Sequence, residues 1–209
     1  MDDCCAHKGR FEGLNDDYRR RLIAVTVINL VMFAVEMTAG ELAGSQALKA
    51  DALDFAADGA TYALSFWAIG RAARVRAGAA FIKGLSLFAM GIWVAVTTLY
   101  QVFVFGIPEA EVMGVIGLLA LAANLGSVWL LMSYRHGDAN VRSVWLCSRN
   151  DAIGNVAVVI AAGLVAVLGN GAPDLIVAGV MAVLVLSSSF QILTQSWKEW
   201  QHEKSHLPL

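Results

Sequence analysis

The chain has 209 residues, of which 58% are hydrophobic and only 15% are charged. A soluble globular domain usually has about 25% charged residues, so this composition indicates a membrane protein. The formal net charge of -2 says nothing about partners, but the sequence has no basic domain that would bind nucleic acid.

Six stretches are apolar and long enough to cross a bilayer, which takes about 20 residues per helix. The sequence therefore predicts an all-α membrane protein with one six-helix transmembrane domain, 22–196, between an N-terminal segment, 1–21, and a short tail, 197–209. We expect the tail to continue the last helix. The predicted spans are 22–42, 47–70, 80–105, 111–134, 141–168 and 174–196. Small residues that we expect to permit close helix packing are Gly40, Gly44, Gly117, Gly126 and Gly179.

Lysine and arginine placement predicts how the helices are oriented. Of the 15 basic residues, 14 fall in the N-terminal segment, in the tail, or in and beside the connectors after spans two and four. Only Lys49 falls on the opposite side. Because basic residues are concentrated on the cytoplasmic side of membrane proteins, we expect both termini to be cytoplasmic. The predicted location is the cytoplasmic (inner) membrane, crossed several times.

Span two contains "ADALDFAAD", residues 50–58, with acids at Asp51, Asp54 and Asp58. An aspartate at mid-membrane costs about 2.5–3.5 kcal/mol on insertion scales, and such residues normally face a bundle interior and mark an ion pathway. Positions i and i+4 share one face of a helix, so Asp54 and Asp58 present two carboxyl groups to one point. Such a pair either shares protons or binds a cation, whose binding releases protons. Asp51 lies one turn outward, where we expect a supporting or gating role.

Span five contains a second acid, Asp151, with Cys147 one turn earlier on the same face. Spans two and five run in opposite directions, so the two pairs can meet at a similar depth. Four such ligands suit tetrahedral Zn²⁺. Alternatively, Cys147 is a small buried apolar residue, and Asn150 or Asn155 supplies the fourth ligand or a supporting group. Arg149 is unexpected beside a cation site; it either faces away from the site or pairs with an acid.

The N-terminal "CCAH" motif supplies Cys4, Cys5 and His7, which could capture soft metal ions in the cytoplasm. These residues are too few to close a four-ligand site, and a disordered N-terminus is the alternative. The sequence contains no nucleophile–base pair, nucleotide-binding loop or haem motif. It therefore predicts neither an enzyme nor a resident cofactor.

Three segments resemble parts of the cation diffusion facilitators, a family of six-helix divalent-metal/proton antiporters. Residues 29–58, "NLVMFAVEMTAGELAGSQALKADALDFAAD", resemble the family's first two spans. Residues 141–163, "VRSVWLCSRNDAIGNVAVVIAAG", resemble its fifth span, and "APDLIVAGVMAVLVL" resembles the entry to its sixth. The resemblance implies a metal site of Asp54, Asp58, Cys147 and Asp151, with Cys147 where the family usually has histidine. Apart from the resemblance, we expect Asn29 and Glu36 to brace helices, to line the path, or to support or gate the site.

The resemblance implies export of divalent metal, most readily Zn²⁺ or Cd²⁺, in exchange for protons. More oxygen-based coordination would admit Fe²⁺, Co²⁺ or Mn²⁺. Because the chain ends before the family's cytoplasmic C-terminal domain would fit, we expect a short member whose homodimer is held by transmembrane helices. Two alternatives use the same site: a non-transporting, metal-responsive membrane protein and a passive divalent-metal channel.

Overall fold

The computed structural model describes residues 16–67, 73–104, 106–134 and 139–205, without the side chains of 65, 73, 74, 76, 134, 139–147, 199, 200 and 202–205. All secondary structure in these ranges is helical, which confirms the predicted six-helix all-α architecture. The helices are α1 (Asp16–Ala43), α2 (Gln46–Trp67), α3 (Ala73–Val104), α4 (Ala110–Leu131), α5 (Ala139–Leu168) and α6 (Ala172–Ser205), with a 3₁₀ turn, Met132–Tyr134, after α4.

The first and last helices extend beyond the predicted spans. Helix α1 begins at Asp16 rather than at residue 22, and Asp16 and Asp17 lie in its first turn, where acidic side chains favour the helix dipole. Helix α6 continues through the tail to Ser205, as expected. An apolar run marks the part of a helix that matches the bilayer, whereas the helix itself continues through polar residues on either side.

Five of the six described helices contain a segment long and apolar enough to cross a membrane. Helix α2 is the exception, because Lys49 and three aspartates lie within its 22 residues. It contacts each of the other five helices. These neighbours shelter the charges of α2 from lipid, which is how membrane proteins accommodate ionisable groups.

The apolar core forms three clusters along the bundle. We call the end near Arg19 and Arg20 the inner end, and the opposite end the outer end. The inner cluster comprises Tyr18, Leu22, Val25, Tyr62 and Leu131. The middle cluster is Met32, Phe55 and Ala120. The largest cluster joins α2 through α6 on the outer side and includes Leu48, Leu53, Val94, Met113 and Val158.

Close helix packing depends on two of the five predicted glycines. A Cβ atom added to Gly40 would lie 3.1 Å from the Leu48 Cβ and 3.1 Å from the Lys49 amide nitrogen. One added to Gly117 would lie 3.2 Å from a Val159 methyl group. The prediction is wrong for Gly126 and Gly179, where an added Cβ would meet no atom within 4 Å. Gly44 acts through its backbone instead, since its φ of 68° ends α1.

A carboxylate from α6 fixes the outer end of α2. Asp174 accepts hydrogen bonds from the Ser45 hydroxyl (2.6 Å), the Gln46 N–H (2.9 Å) and the Ala47 N–H (3.0 Å). The Ser45 hydroxyl oxygen in turn accepts the Leu48 N–H at 3.1 Å. Together Ser45 and Asp174 satisfy N–H groups that the first turn of a helix leaves without intrahelical partners. Because Asp174 is buried, this cap ties α2 to α6.

The single basic residue at the outer end is neutralised locally. Lys49 is buried, forms an ion pair with Glu41, and has its ammonium group 5.5 Å from the centre of the Trp93 ring. The pairing with α1 and the ring on α3 offset the charge that makes Lys49 an exception to the basic-residue pattern.

Candidate metal site

Contacts between helices show which residues share a level in the bundle. Phe55 of α2 packs with Met32 of α1 and Ala120 of α4. Gly117 of α4 lies against Val158 and Val159 of α5. Helices α4 and α5 are antiparallel, and each residue advances by about 1.5 Å.

It follows that Ala120 lies near the level of Asn155, one turn outward from Asp151. The same register places Asn124 near the level of Asp151 on the facing helix α4.

The acids predicted on α2 and α5 lie close together. The carboxyl group of Asp151 is a hydrogen-bonding neighbour of Asp58, and Asp54 is near enough to interact electrostatically with both. All three side chains are half-buried. Carboxyl groups in this arrangement repel one another when ionised, so they require shared protons or a bound cation. The structure therefore brings together three of the four predicted ligands.

These acids also bond within the protein. The hydroxyl group of Tyr62, one turn inward on α2, donates a hydrogen bond to Asp58. Among the residues that the structure describes, no three His, Cys, Asp or Glu side chains are already arranged around a metal position. The role of Asp54, Asp58 and Asp151 as ligands therefore stays a prediction. Tyr62 was missed at the sequence level, although its i+4 spacing from Asp58 was a readable signal.

Other predicted metal-binding residues lie outside the described part of the chain. Cys147 is in α5, one turn before Asp151, but its side chain is not described. Cys4, Cys5 and His7 precede the first described residue. Ligation by Cys147 and metal capture by the N-terminus remain predictions.

Two neighbours of Asp151 are on exposed faces of α5. The Arg149 side chain is exposed, and its guanidinium group donates a hydrogen bond to the Asn150 side-chain oxygen at 3.2 Å. Asn150 is exposed as well. Arg149 thus faces away from the core, in agreement with the first of the two expectations for it. Exposure makes Asn150 a weaker candidate for a ligand than the fully buried Asn155.

A second pair of acids lies outward of the first. Glu36 of α1 and Asp51 of α2 are both fully buried and contact each other through their carboxyl groups. Apart from that contact, neither oxygen of Glu36 has a hydrogen-bond partner in the described part of the chain. This position suits the supporting or gating role expected for both acids. Asn29, by contrast, donates to the Val25 carbonyl at 2.8 Å and braces its own helix.

Comparisons with known proteins agree with this architecture. A family model for the cation efflux transmembrane domain matches residues 22–199. Among similar proteins is the zinc transporter ZitB of Yersinia pestis, 27% identical over 201 residues, with 88% of this chain and 63% of that protein covered. The zinc transporter ZitB of Pectobacterium atrosepticum is 30% identical over 201 residues, with 86% and 60% covered. The zinc transporter ZitB of Escherichia coli K12 is 28% identical over 200 residues, with 88% and 63% covered.

The chain thus spans less than two thirds of the length of these relatives. The family match nevertheless covers nearly all of the helical bundle, including α2 and α5 with their acids. It confirms the resemblance inferred from the sequence. The chain contains the cation efflux transmembrane domain, and it is a multi-pass membrane protein that belongs to the cation efflux family.

Proposed function

We propose that the protein exports divalent metal cations, with Zn²⁺ as the principal cargo, in exchange for protons. The observation that carries this proposal is the contact between Asp58 and Asp151, with Asp54 beside them, inside the helical bundle. Carboxyl groups this close hold either protons or a cation. Binding of a metal therefore releases protons, and protonation releases the metal.

The similarity to proteins named as zinc transporters supports Zn²⁺ as the cargo. Asp54, Asp58 and Asp151 with the Cys147 thiolate would give three oxygen ligands and one sulfur ligand. A set of four that includes sulfur suits Zn²⁺ and Cd²⁺, whereas oxygen ligands also accept Mn²⁺ and other harder cations. A Cys147→Ser variant should therefore lose transport of Zn²⁺ and Cd²⁺ more than transport of Mn²⁺.

The transport cycle uses the same carboxyl groups in two states. From the cytoplasmic side, metal would bind to deprotonated Asp54, Asp58 and Asp151. A change in helix packing would then open the outer side, where incoming protons displace the metal. The predicted orientation, with basic residues at the inner end, supports export from the cytoplasm, and we propose that it crosses the inner membrane. We further propose that two copies associate through their transmembrane helices, which crosslinking in membranes would test.

Flux in proteoliposomes tests this function directly. Vesicles containing the purified chain and a zinc-sensitive dye should show Zn²⁺ entry that accelerates when the lumen is acidic relative to the outside. Asp54→Ala and Asp151→Ala should each reduce that flux to near the protein-free rate. Glu111→Ala, which removes an exposed acid in the first turn of α4, is the matched control and should leave flux unchanged.

The same assay separates the alternatives. A passive channel would conduct Zn²⁺ without responding to the proton gradient, and a metal-responsive protein that does not transport would give no flux. Full proton-coupled flux in both Asp54→Ala and Asp151→Ala would show that the site has been assigned to the wrong residues.

A further inference from the structure

Asn155 is a buried amide whose hydrogen-bonding groups are unused. Its side chain is fully buried in α5, and neither its amide oxygen nor its amide nitrogen has a partner within the described ranges. Buried polar side chains are nearly always hydrogen-bonded, because an unpaired one has lost its water without gaining a replacement. The unpaired amide of Asn155 therefore indicates that a polar or charged partner binds next to it.

The position of Asn155 indicates what the partner is. It lies one turn outward from Asp151 on the same helix face, since the two residues are four apart. Its level matches Ala120, which belongs to the same packed cluster as Phe55, the residue next to Asp54. Asn155 therefore extends the acidic site on the side where Asp54 lies.

Three other asparagines with described side chains, Asn29, Asn124 and Asn150, are less suited to this role. Asn150 is exposed and bonded to Arg149, and the amide nitrogen of Asn29 is used by the Val25 carbonyl. Asn124 is buried and also lacks partners in the part of the chain that the structure describes, but it lies on α4, which contributes no acid to the site. Among the asparagines whose side chains the structure describes, Asn155 is the one that combines burial, an unused oxygen and a place on the acidic face of α5.

We propose that the side-chain oxygen of Asn155 is a direct ligand of the transported cation, next to Asp54. An amide oxygen is a hard, neutral donor of the kind that Mn²⁺ and Ca²⁺ accept more readily than soft metals do. It binds without losing a proton, so it adds a ligand without adding to the protons exchanged. The site is then rich enough in oxygen to bind Mn²⁺ as well as Zn²⁺. This inference rests on the proposed function, whose cargo it specifies.

Replacing Asn155 with leucine, which has nearly the same shape and no polar atoms, shows whether Asn155 binds the metal or only stabilises the fold. A purely structural asparagine would leave a less stable protein with unchanged metal affinity. A ligand would leave a metal-free protein of equal or greater stability, because an unsatisfied buried amide is gone. The measurements are the melting temperature of the full chain in detergent without metal, and the dissociation constants of Mn²⁺ and Zn²⁺ from their effect on melting.

We expect Asn155→Leu to weaken Mn²⁺ binding by about tenfold or more and Zn²⁺ binding by less, in line with the preference of harder cations for oxygen. Asn155→Asp keeps an oxygen at the site and should retain Mn²⁺ binding. Thr98→Val is the matched control: it removes a buried hydroxyl without a described partner from α3, a helix that carries none of the proposed ligands. Its neighbour Thr97 bonds to Gln46 at the outer end of α2, eight residues before Asp54, so the variant should not change either constant.

An unchanged Mn²⁺ dissociation constant in Asn155→Leu would overturn the proposal, as would an equal loss in Asn155→Asp. If the parent chain bound neither metal, the proposed function itself would fail, and that outcome is visible before any variant is compared.

Discussion

Removing the Asp174 carboxylate should release the outer end of α2 and destabilise the protein markedly. Its oxygens accept three hydrogen bonds of 2.6 to 3.0 Å, two of them from backbone N–H groups in the first turn of α2. A hydrogen bond to a charged group contributes about 1.5–3 kcal/mol, and loss of a helix cap costs about 0.5–2 kcal/mol. Contributions that share one carboxylate do not add. We therefore expect Asp174→Ala to lower the free energy of unfolding by about 3 kcal/mol.

Thermal unfolding in detergent, followed by circular dichroism, measures this loss. For a chain of this size about 2–4 °C of melting temperature corresponds to 1 kcal/mol, which predicts a decrease of about 6–12 °C. Asp174→Asn keeps one acceptor oxygen and should lose about half as much. Glu111→Ala serves as control, since Glu111 is likewise an acid in the first turn of its helix but is exposed. Equal melting temperatures for Asp174→Ala and Glu111→Ala would show that the cap does not hold α2.

Three further results are expected. Tyr62→Phe removes the hydroxyl donor to Asp58 and should lower the unfolding free energy by about 1–2 kcal/mol in denaturant titrations; no change would refute that hydrogen bond. Gly40→Ala should lower the unfolding free energy by about 1–3 kcal/mol, because its methyl group would press on the α2 backbone. Gly126→Ala, where the added methyl group meets open space, should instead raise it by up to about 1 kcal/mol. Equal effects of the two variants would contradict the α1–α2 packing. Zn²⁺ at a hundred times its dissociation constant should stabilise the parent by about 2.7 kcal/mol and Asp151→Ala by much less. Melting temperatures of both proteins, measured with Zn²⁺ and with a chelator, test this; equal stabilisation of the two would refute binding at Asp151.

All six helices were predicted, and five of them have apolar runs of bilayer length, which are a strong signal. Helix α2 gives a weaker signal, because Lys49 and three aspartates interrupt its apolar residues. The ends of the helices could not be predicted, since Asp16 and the polar tail up to Ser205 belong to helices without contributing to the apolar signal. The packing role of glycine was only partly predictable. Gly40 and Gly126 look alike in sequence, but only Gly40 lies on a face that meets another helix closely.

The acids of the candidate site could be identified from the cost of placing them in a membrane, and the i+4 rule correctly paired Asp54 with Asp58. The contact between Asp58 and Asp151 was expected only in outline. Which residues of α2 and α5 face each other depends on helix rotation and register, which are set by packing contacts such as those of Phe55 and Gly117. The burial of Asn155 and the exposure of Asn150 follow from the same rotation and could not be read from their spacing.

The dependence of α2 on its neighbours has a consequence for how the protein is made. Helix α2 is the second to leave the ribosome and the one described helix too charged to meet the criteria for crossing a membrane by itself. Its aspartates find their neighbour Asp151 only when α5 has been synthesised, and its cap arrives with Asp174 at the start of α6. We expect the early helices to stay incompletely assembled until α6 has been inserted. In a ribosome-bound chain truncated after α4, residues of α2 should therefore remain accessible to water-soluble labelling reagents.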